Sequence, residues 1–168
     1  MSEPSDHYLR AEFMRRLPDL WPFVAASGID GWWFWDMRHQ EHEYMSPRFW
    51  SVLGYDPAGR AHSPEAWRDM LHPGDRQAAV AAIGTHLEHG TPYDLIVRYL
   101  PGPQRPGLEW VWIRCRGMVV RDDDGAPLYF LGVHQDVTRQ QEEIHRLRVE
   151  LVGIQERLQA LEDDHGSG

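Results

Sequence analysis

Hydrophobic and polar residues along this chain change their spacing several times, and each change marks a predicted element. Apolar side chains alternate with polar ones over 93–99 and over 108–121, and aromatic residues dominate 31–36. Period-two alternation and an aromatic or β-branched composition both predict β-strands. Segments 43–45 and 127–137 have the same character. The pattern therefore predicts two strands early in a domain and three more in a meander at its end.

Short helices are predicted between the second and third strands. Ser46 and Ser63 are each followed by proline. A serine cap with proline at the first helical position is a frequent helix start. The first of these helices should end at Gly54, because glycine tolerates a left-handed C-cap. A longer helix is expected to follow and to end near Gly90. Its predicted apolar face consists of Val80, Ile83 and Leu87.

The last part of the chain has apolar residues at heptad spacing. They recur at intervals of three, four, three, four and three residues, and they are Ile144, Leu147, Leu151, Ile154, Leu158 and Leu161. This spacing is typical of the a and d positions of a coiled coil. Thr138 and Gln141 have the spacing of a capping box, so we expect the helix to begin at Arg139.

Charged residues beside this seam favour a parallel homodimer. In a parallel, in-register pair, Glu143 at a g position reaches Arg148 at the e position of a second copy. Arg157 and Glu162 are related in the same way. Exposed pairs contribute only about 0.2–1 kcal/mol each, so they select orientation while the apolar seam supplies affinity. The alternative is a single amphipathic helix that folds back on its own sheet.

An apolar stripe also marks the N-terminal segment. Ser5 can cap a helix in which Leu9, Phe13 and Leu17 stack at i, i+4 and i+8. We expect this helix to pack on the domain or to extend the dimer contact. The predicted organisation is an N-terminal helical cap at 1–26, a globular domain at 27–138, a coiled-coil helix at 139–162 and a disordered tail at 163–168.

Composition and charge narrow the choice of partners and compartment. The chain has 168 residues, a hydrophobic fraction of 42% and a formal net charge of −9. The acidic balance argues against nucleic acid or an anionic membrane as the main partner, since both require clustered positive charge. No apolar run approaches the roughly 18 residues of a membrane span. The acidic N-terminus is unlike a secretory signal, and Cys115 is the single cysteine, so we expect a cytoplasmic protein.

Short motifs spread over more than a hundred residues resemble, in their order and spacing, those of a PAS domain of the subtype that ends in the PAC motif. The matching segments are 31–36, 46–49, 53–55, 72–76, 109–112, 121–125, 132–133 and 136–138. The resemblance implies an α+β fold with a five-stranded antiparallel sheet in the order 2-1-5-4-3. It also implies helices on one face of the sheet and a cavity between the two layers. Here the sheet would be flanked by an N-terminal helix and a long C-terminal helix.

The resemblance also implies two functional regions. In such proteins an Asp-x-Thr motif joins the last strand to the output helix, and here the motif is Asp136, Val137 and Thr138. We expect this junction to transmit the signal. The aromatic and apolar residues expected to line the cavity are Trp32, Phe34, Phe49, Leu53, Trp67, Val97, Ile113 and Phe130.

The content of the cavity stays open between no cofactor, which is favoured, a flavin and a haem. Photoreceptors of the LOV subclass need a cysteine in an Asn-Cys-Arg motif, whereas Cys115 lies in a predicted strand without that motif. A haem would take His86 or His89, although histidines near a helix end are more often solvated. The candidates for stacking on a noncovalent flavin are Trp32, Trp33 and Trp112, although tryptophans in a small domain are more often core residues.

No segment predicts a metal site or a catalytic centre. The acidic run at 122–124 lacks the bidentate glutamate of a calcium loop and, with Gly125 after it, is better read as a hairpin turn. His145 weakly resembles a kinase phosphoacceptor, but it falls at heptad position b and is expected to be solvated. No nucleophile has a partner at catalytic spacing, so we expect no enzymatic activity.

These observations predict a sensory and dimerisation module of bacterial signalling. A small ligand or a change in the cavity would shift the sheet, and the junction would pass the strain to the paired helices. We do not find the effector, such as a kinase or a cyclic-dinucleotide enzyme, in this sequence. We therefore expect the chain to be either a fragment of a larger sensor or a free-standing module. The alternatives are a flavin- or haem-binding redox or gas sensor, and a ligand-free structural dimer.

Overall fold

The computed structural model of the protein describes residues 28–166, with side-chain environments through residue 162. The strands are β1 (Gly31–Asp36), β2 (Glu43–Met45), β3 (Tyr93–Tyr99), β4 (Val111–Arg121) and β5 (Pro127–Asp136). The helices are α1 (Pro47–Leu53), α2 (Pro64–Arg68), α3 (Pro73–His89) and α4 (Thr138–Gly166). The predicted N-terminal cap at 1–26 and the last two residues lie outside the described residues.

The five strands form one antiparallel sheet in the order β2-β1-β5-β4-β3. The predicted fold and strand order are therefore confirmed. The central strand β5 pairs with β1 through contacts such as Trp33 with Gly132, and with β4 through contacts such as Cys115 with His134. Gly125 closes the β4–β5 hairpin at a φ of 81°, a backbone conformation that the predicted Asp-Gly turn requires.

One face of the sheet carries the core, and helices α1 to α3 cover it. The largest fully buried side chains are Trp50, Phe49, Phe130, Leu53, Ile113 and Val111. On the opposite face, large apolar side chains remain exposed in the single chain. These are Phe34, Tyr44, Ile96, Met118 and Val120. The sheet is therefore half-buried, with the alternation of inward and outward residues that β3 and β4 predict.

The short helices begin where the serine–proline pairs predict, and α1 ends at Gly54 with a φ of 91°. Helix α3 begins at Pro73, with His72 as its cap, because the His72 ring accepts a hydrogen bond from Gly74 N. Its predicted apolar face is wrong in part, since Val80 is exposed. The buried face of α3 consists of Ala79, Ile83 and His86.

Strand β1 faces the core with the opposite residues from those predicted. Trp33 and Trp35 point inward, whereas Phe34 is 40% exposed on the other face. Gly31 explains the choice, because a Cβ at this position would lie 2.7 Å from Phe49 Cβ. Only glycine allows this close approach, and the period of two then places residues 33 and 35 on the same inner face.

Helix α4 leaves the end of β5 and extends for 29 residues. At about 1.5 Å per residue it is roughly 43 Å long. It begins at Thr138, one residue before the predicted start, and it continues through residue 166, so the predicted disordered tail is helical at 163–166. A helix that is already nucleated propagates readily, which accounts for helix at positions predicted to be disordered.

Candidate functional site: an internal cavity and the strand–helix junction

A small cavity lies between the sheet and the covering helices. Its volume is about 20 Å³, and its walls are Trp33, Trp35, Glu43, Met45, Trp67, Ile83, Tyr93, Tyr99, Cys115, Phe130 and His134. One buried water requires about 10–15 Å³ on the same scale. The cavity therefore has room for a guest of the size of one water molecule or little more.

The predicted cavity residues divide into three groups. Trp67 and Phe130 line the cavity. The buried residues Phe49, Leu53, Val97 and Ile113 belong to the surrounding core. Trp32 and Phe34 lie on the outer face of β1, so this part of the prediction is wrong. Trp33 and Trp35 line the cavity instead, because the close packing of Gly31 on Phe49 turns the odd-numbered residues of β1 inward.

Glu43 is a carboxylate within this aromatic cavity. It is the first residue of β2, and it is only 2% exposed. Trp67 Nε1 donates a hydrogen bond of 2.6 Å to Glu43 Oε2 and so ties β2 to α2. Burial raises the pKa of Glu43 to about 7, against the smaller lowering by the Trp67 hydrogen bond and by the charge of Arg68. The carboxyl therefore changes charge near neutral pH.

His134 on β5 is the second ionisable group in the cavity wall. Its ring stacks on Phe49 at 4.2 Å between centroids and lies 4.6 Å from the ring of Trp33. Burial alone lowers the pKa of His134 from 6.5 to about 3, so the imidazole is neutral at physiological pH. Its Nδ1 is buried and has no hydrogen-bond partner among the residues that the structure describes.

The other polar groups in the wall are held in their neutral forms. Burial raises the pKa values of Tyr93, Tyr99 and the Cys115 thiol far above their ordinary values. A thiol in this state is a poor nucleophile, so Cys115 is an inert core residue.

The walls do not fit a flavin or a haem as they stand. Cofactor sites commonly enclose about 300–1,000 Å³, and here the aromatic side chains fill that space. His86, a haem candidate, is already bonded at both nitrogens. Its Nδ1 lies 2.5 Å from Thr91 O, and its Nε2 accepts from Val119 N at 3.0 Å. His86 is therefore a core residue joining α3 to β4, and not the solvated side chain expected from the sequence. His89 is exposed.

A carboxylate joins the last strand to the long helix at the predicted junction. Asp136 Oδ1 accepts hydrogen bonds from Thr138 N at 2.9 Å and from Thr138 Oγ1 at 2.5 Å. Thr138 Oγ1 in turn accepts from Trp112 N at 3.0 Å, and Val137 N donates to Trp112 O at 2.9 Å. The Thr138 side chain therefore anchors α4 to β4, a role different from the predicted capping box with Gln141.

Arg105 is a junction residue that sequence reasoning missed. From the β3–β4 loop, its Nη1 and Nη2 each lie 3.1 Å from Asp136 Oδ2. Nη1 also donates to Val52 O at 3.0 Å, in the last turn of α1. Asp136 N donates to Asp30 Oδ2 at 2.8 Å. One carboxylate consequently connects β5, α4, α1 and the loop.

The predicted heptad residues of α4 remain partly exposed in the single chain. Their exposed fractions lie between 39% and 57%, for Ile144, Leu147, Leu151, Ile154, Leu158 and Leu161. Folding back on the chain's own sheet, the alternative for this helix, is therefore not what the described residues show.

No helix among the described residues is long and apolar enough to span a membrane. The same residues contain no group of three metal-ligating side chains.

Comparison with known proteins identifies the family. The model of the PAS fold family matches residues 42–134, so this chain belongs to the PAS fold family. Comparison with curated proteins finds no match.

Several solved structures are similar to this chain in fold. A sensory box histidine kinase/response regulator from Burkholderia thailandensis is 27% identical, with a TM-score of 0.67 over 82% of this chain and 98% of that one. The N-terminal domain of a diguanylate cyclase with PAS/PAC sensor from Marinobacter aquaeolei is 28% identical, with a TM-score of 0.56 over 66% and 97%. An RNA-binding light-oxygen-voltage receptor, 18% identical with a TM-score of 0.55 over 73% and 32%, shares the fold alone.

Proposed function

We propose that this chain is a sensory and dimerisation module that converts a change in its internal cavity into a change in a paired output helix. In this proposal it catalyses no reaction of its own. It works in the cytoplasm of a bacterium, and it controls a signalling effector such as a kinase or a cyclic-dinucleotide enzyme. The similarity to PAS domains of a histidine kinase and a diguanylate cyclase supports this choice of effector.

The observation that carries the proposal is the hydrogen-bonded junction around Asp136. His134 lines the cavity and lies two residues before Asp136 on the same strand. A displacement of β5 at the cavity moves the Asp136 carboxylate, which holds the first residue of α4 through two hydrogen bonds. Arg105 links the other oxygen of this carboxylate to the end of α1. A movement of either β5 or α1 would therefore shift the Asp136 carboxylate.

The exposed seam of α4 supports a second copy of the chain as the partner of this helix. A monomer would leave the six large apolar residues of the seam about half exposed to water. Because each is already about half buried, burying the remainder against a partner contributes about 0.8–1.5 kcal/mol, before the entropic cost of association. In the single chain Glu143 pairs with Arg146 at 2.6 Å. In the parallel dimer the partner copy's e-position arginine competes for the same carboxylate, so the charges select orientation more than they add affinity.

Coupling of about 1–3 kcal/mol between the cavity and the helix pair is sufficient for signalling. Two registers or pitches of a short coiled coil can differ by this amount, because each heptad contributes only a few contacts. A ligand-free structural dimer is the second candidate function. The observation that favours it is the cavity volume of about 20 Å³, which is small for a metabolite.

Sedimentation of paired variants tests the proposed dimer. Leu151 on the seam and Val149 on the opposite side of α4 are 55% and 60% exposed, respectively. We expect Leu151→Glu to shift the chain to monomer and Val149→Glu to leave the dimer intact, over a concentration series. A wild-type monomer at every concentration, or equal effects of the two variants, would contradict the proposal.

A further inference from the structure

A groove on the outer side of the sheet lies between the start of α4 and strands β3 and β4. It encloses about 430 Å³. Its sheet wall consists of His72, Arg98, Glu109, Trp110 and Trp112, and its helix wall consists of Gln141, Glu142, Ile144, His145 and Arg148. The groove therefore joins the sheet to the part of α4 that directly follows the junction.

The sheet wall of the groove is held in place by contacts within its own chain. The Arg98 guanidinium lies 5.4 Å from the centre of the Trp112 ring, and its Nε donates to the Asp75 carboxylate at 2.9 Å. The rings of His72 and Trp110 meet edge to face, with 4.5 Å between their centroids. Because both tryptophan rings already have these neighbours, filling the groove costs little side-chain ordering.

The helix wall shares two residues with the predicted coiled-coil seam and its flank. Ile144, at heptad position a, lines the groove and is 39% exposed. Arg148, at position e, lines the groove one helical turn further along. In a parallel coiled coil, the e side of one helix runs beside the g side of the other. The groove therefore opens toward the g-position residues of a second copy.

Arg148 has no carboxylate partner among the residues that the structure describes. None of the residues three or four positions away on its helix is acidic; they are Ile144, His145, Leu151 and Val152. Glu109 and Glu142 line the same groove, but neither forms an ion pair with Arg148. The groove thus offers a cation to an acidic side chain that comes from outside the chain.

We propose that a second copy of the chain occupies this groove, with the partner's Glu143 paired with Arg148 and lying against the Trp112 ring. This inference deepens the proposed function and rests on it, because it assumes the parallel helix pair. Glu143 is at position g and, in the single chain, pairs with Arg146. The side chains of Glu143 and Arg146 are 52% and 64% exposed, so the carboxylate can turn to the partner without leaving a buried charge behind.

The proposed contact gives each sheet a connection to both output helices. Trp112 N donates to Thr138 Oγ1, at the start of its own α4, at 3.0 Å. The ring of the same Trp112 would contact the α4 helix of the partner. A displacement of β4 would therefore act on the two helices together, and a change in one cavity would reach the helix of the other copy directly.

Isotope-filtered nuclear magnetic resonance on mixed dimers of the whole chain tests the contact. One copy carries 15N and 13C and the other is unlabelled, so cross-peaks between copies are separated from those within a copy. We expect cross-peaks from the indole protons of Trp112 to the side-chain protons of the partner's Glu143. A dimer that lacks these cross-peaks, or a small molecule bound in the groove in their place, overturns the proposal.

Charge reversal tests the ion pair through the dissociation constant of the dimer. Arg148→Glu and Glu143→Arg each turn two symmetry-related attractions into repulsions, so each variant alone should dimerise about tenfold more weakly. An equimolar mixture of the two restores both attractions in the mixed dimer, which should be about as tight as the wild type. Glu150→Arg is the matched control, because its position g faces the uncharged Gln155 and the dissociation constant should change little.

A mixture that dimerises no more tightly than the two variants alone overturns the proposal. If the wild type still dimerises through its seam in that case, the failure concerns the groove and not the proposed module. A wild-type monomer at every concentration contradicts both.

Discussion

Replacing Glu43 by glutamine should remove a pH dependence that the buried carboxyl imposes on stability. The pKa of this carboxyl is raised from its ordinary 4.5 to about 7 in the folded chain. Between these values the folded state keeps a proton that the unfolded state has lost. The folded state then binds more protons, so the free energy of unfolding falls as pH rises. The contribution is fully present below pH 4.5 and is lost as pH rises through 7.

The magnitude follows from the interval between the two pKa values. One pKa unit corresponds to about 1.4 kcal/mol, so the interval from 4.5 to about 7 amounts to roughly 3 kcal/mol. Glutamine keeps an oxygen that can accept the Trp67 hydrogen bond, and it does not titrate. We therefore expect the free energy of unfolding of Glu43→Gln, relative to the wild type, to rise by about 3 kcal/mol between pH 4.5 and pH 8.

Urea unfolding at fixed protomer concentration, repeated across this pH range, measures the difference. His134 has the opposite slope in both proteins, because its pKa is lowered to about 3 and the unfolded chain takes up a proton below 6.5. Its contribution cancels in the difference between variant and wild type. Glu41→Gln is the control, since its side chain is 69% exposed. If the Glu43→Gln and wild-type curves ran parallel from pH 4.5 to 8, Glu43 would not be a buried neutral acid and the reasoning would fail.

Substitutions at three further positions, two of them with a matched control, test the junction and the sheet by the free energy of unfolding. Thr138→Val removes the acceptor for Trp112 N and should cost about 1–3 kcal/mol, whereas Thr138→Ser keeps it, so equal losses would refute the anchoring role. Arg105→Gln leaves the junction carboxylate without its cation and should cost about 1–3 kcal/mol; an unchanged midpoint would show that the pair is not formed. Gly132→Ala should cost more than about 3 kcal/mol, because the added Cβ would lie 2.3 Å from backbone and indole atoms. In the control Gly84→Ala the added Cβ meets nothing within 4 Å, so this variant should stabilise α3 by about 0.5–1 kcal/mol. Similar effects of the two variants would contradict the packing.

Local patterns were sufficient for the elements of the fold but not for the facing of every strand. The alternation in β3 and β4 and the serine–proline helix starts depend on neighbouring residues, so they are readable from the sequence. Strand β1 is aromatic at every position from Trp32 to Trp35, and period two cannot select a face there. The choice depends on the contact of Gly31 with Phe49, which exists only after α1 has packed.

The polar residues of the cavity were only partly predictable. Glu43 alternates with Met45 in β2, and His134 lies four residues after the predicted inward residue Phe130, so period two places both on the inner face. Neither residue was predicted to line the cavity, because carboxylate and imidazole side chains are usually exposed to water. Neither periodicity nor a local motif in the sequence pointed to Arg105. Its bond to Asp136 joins a loop to a strand end 31 residues away, and only the folded chain brings the two together.

The orientation of two α4 helices is the most direct test of the central claim. Leu158 lies at an a position, and identical a residues face each other in a parallel, in-register coiled coil. With Leu158→Cys, oxidation should give a rapid disulfide between copies, while Val149→Cys on the opposite side should not. The buried Cys115 thiol should remain unreacted in both. A disulfide confined to the Leu158→Cys dimer is the predicted result; monomer only, or equal cross-linking at both positions, would contradict a parallel output helix pair.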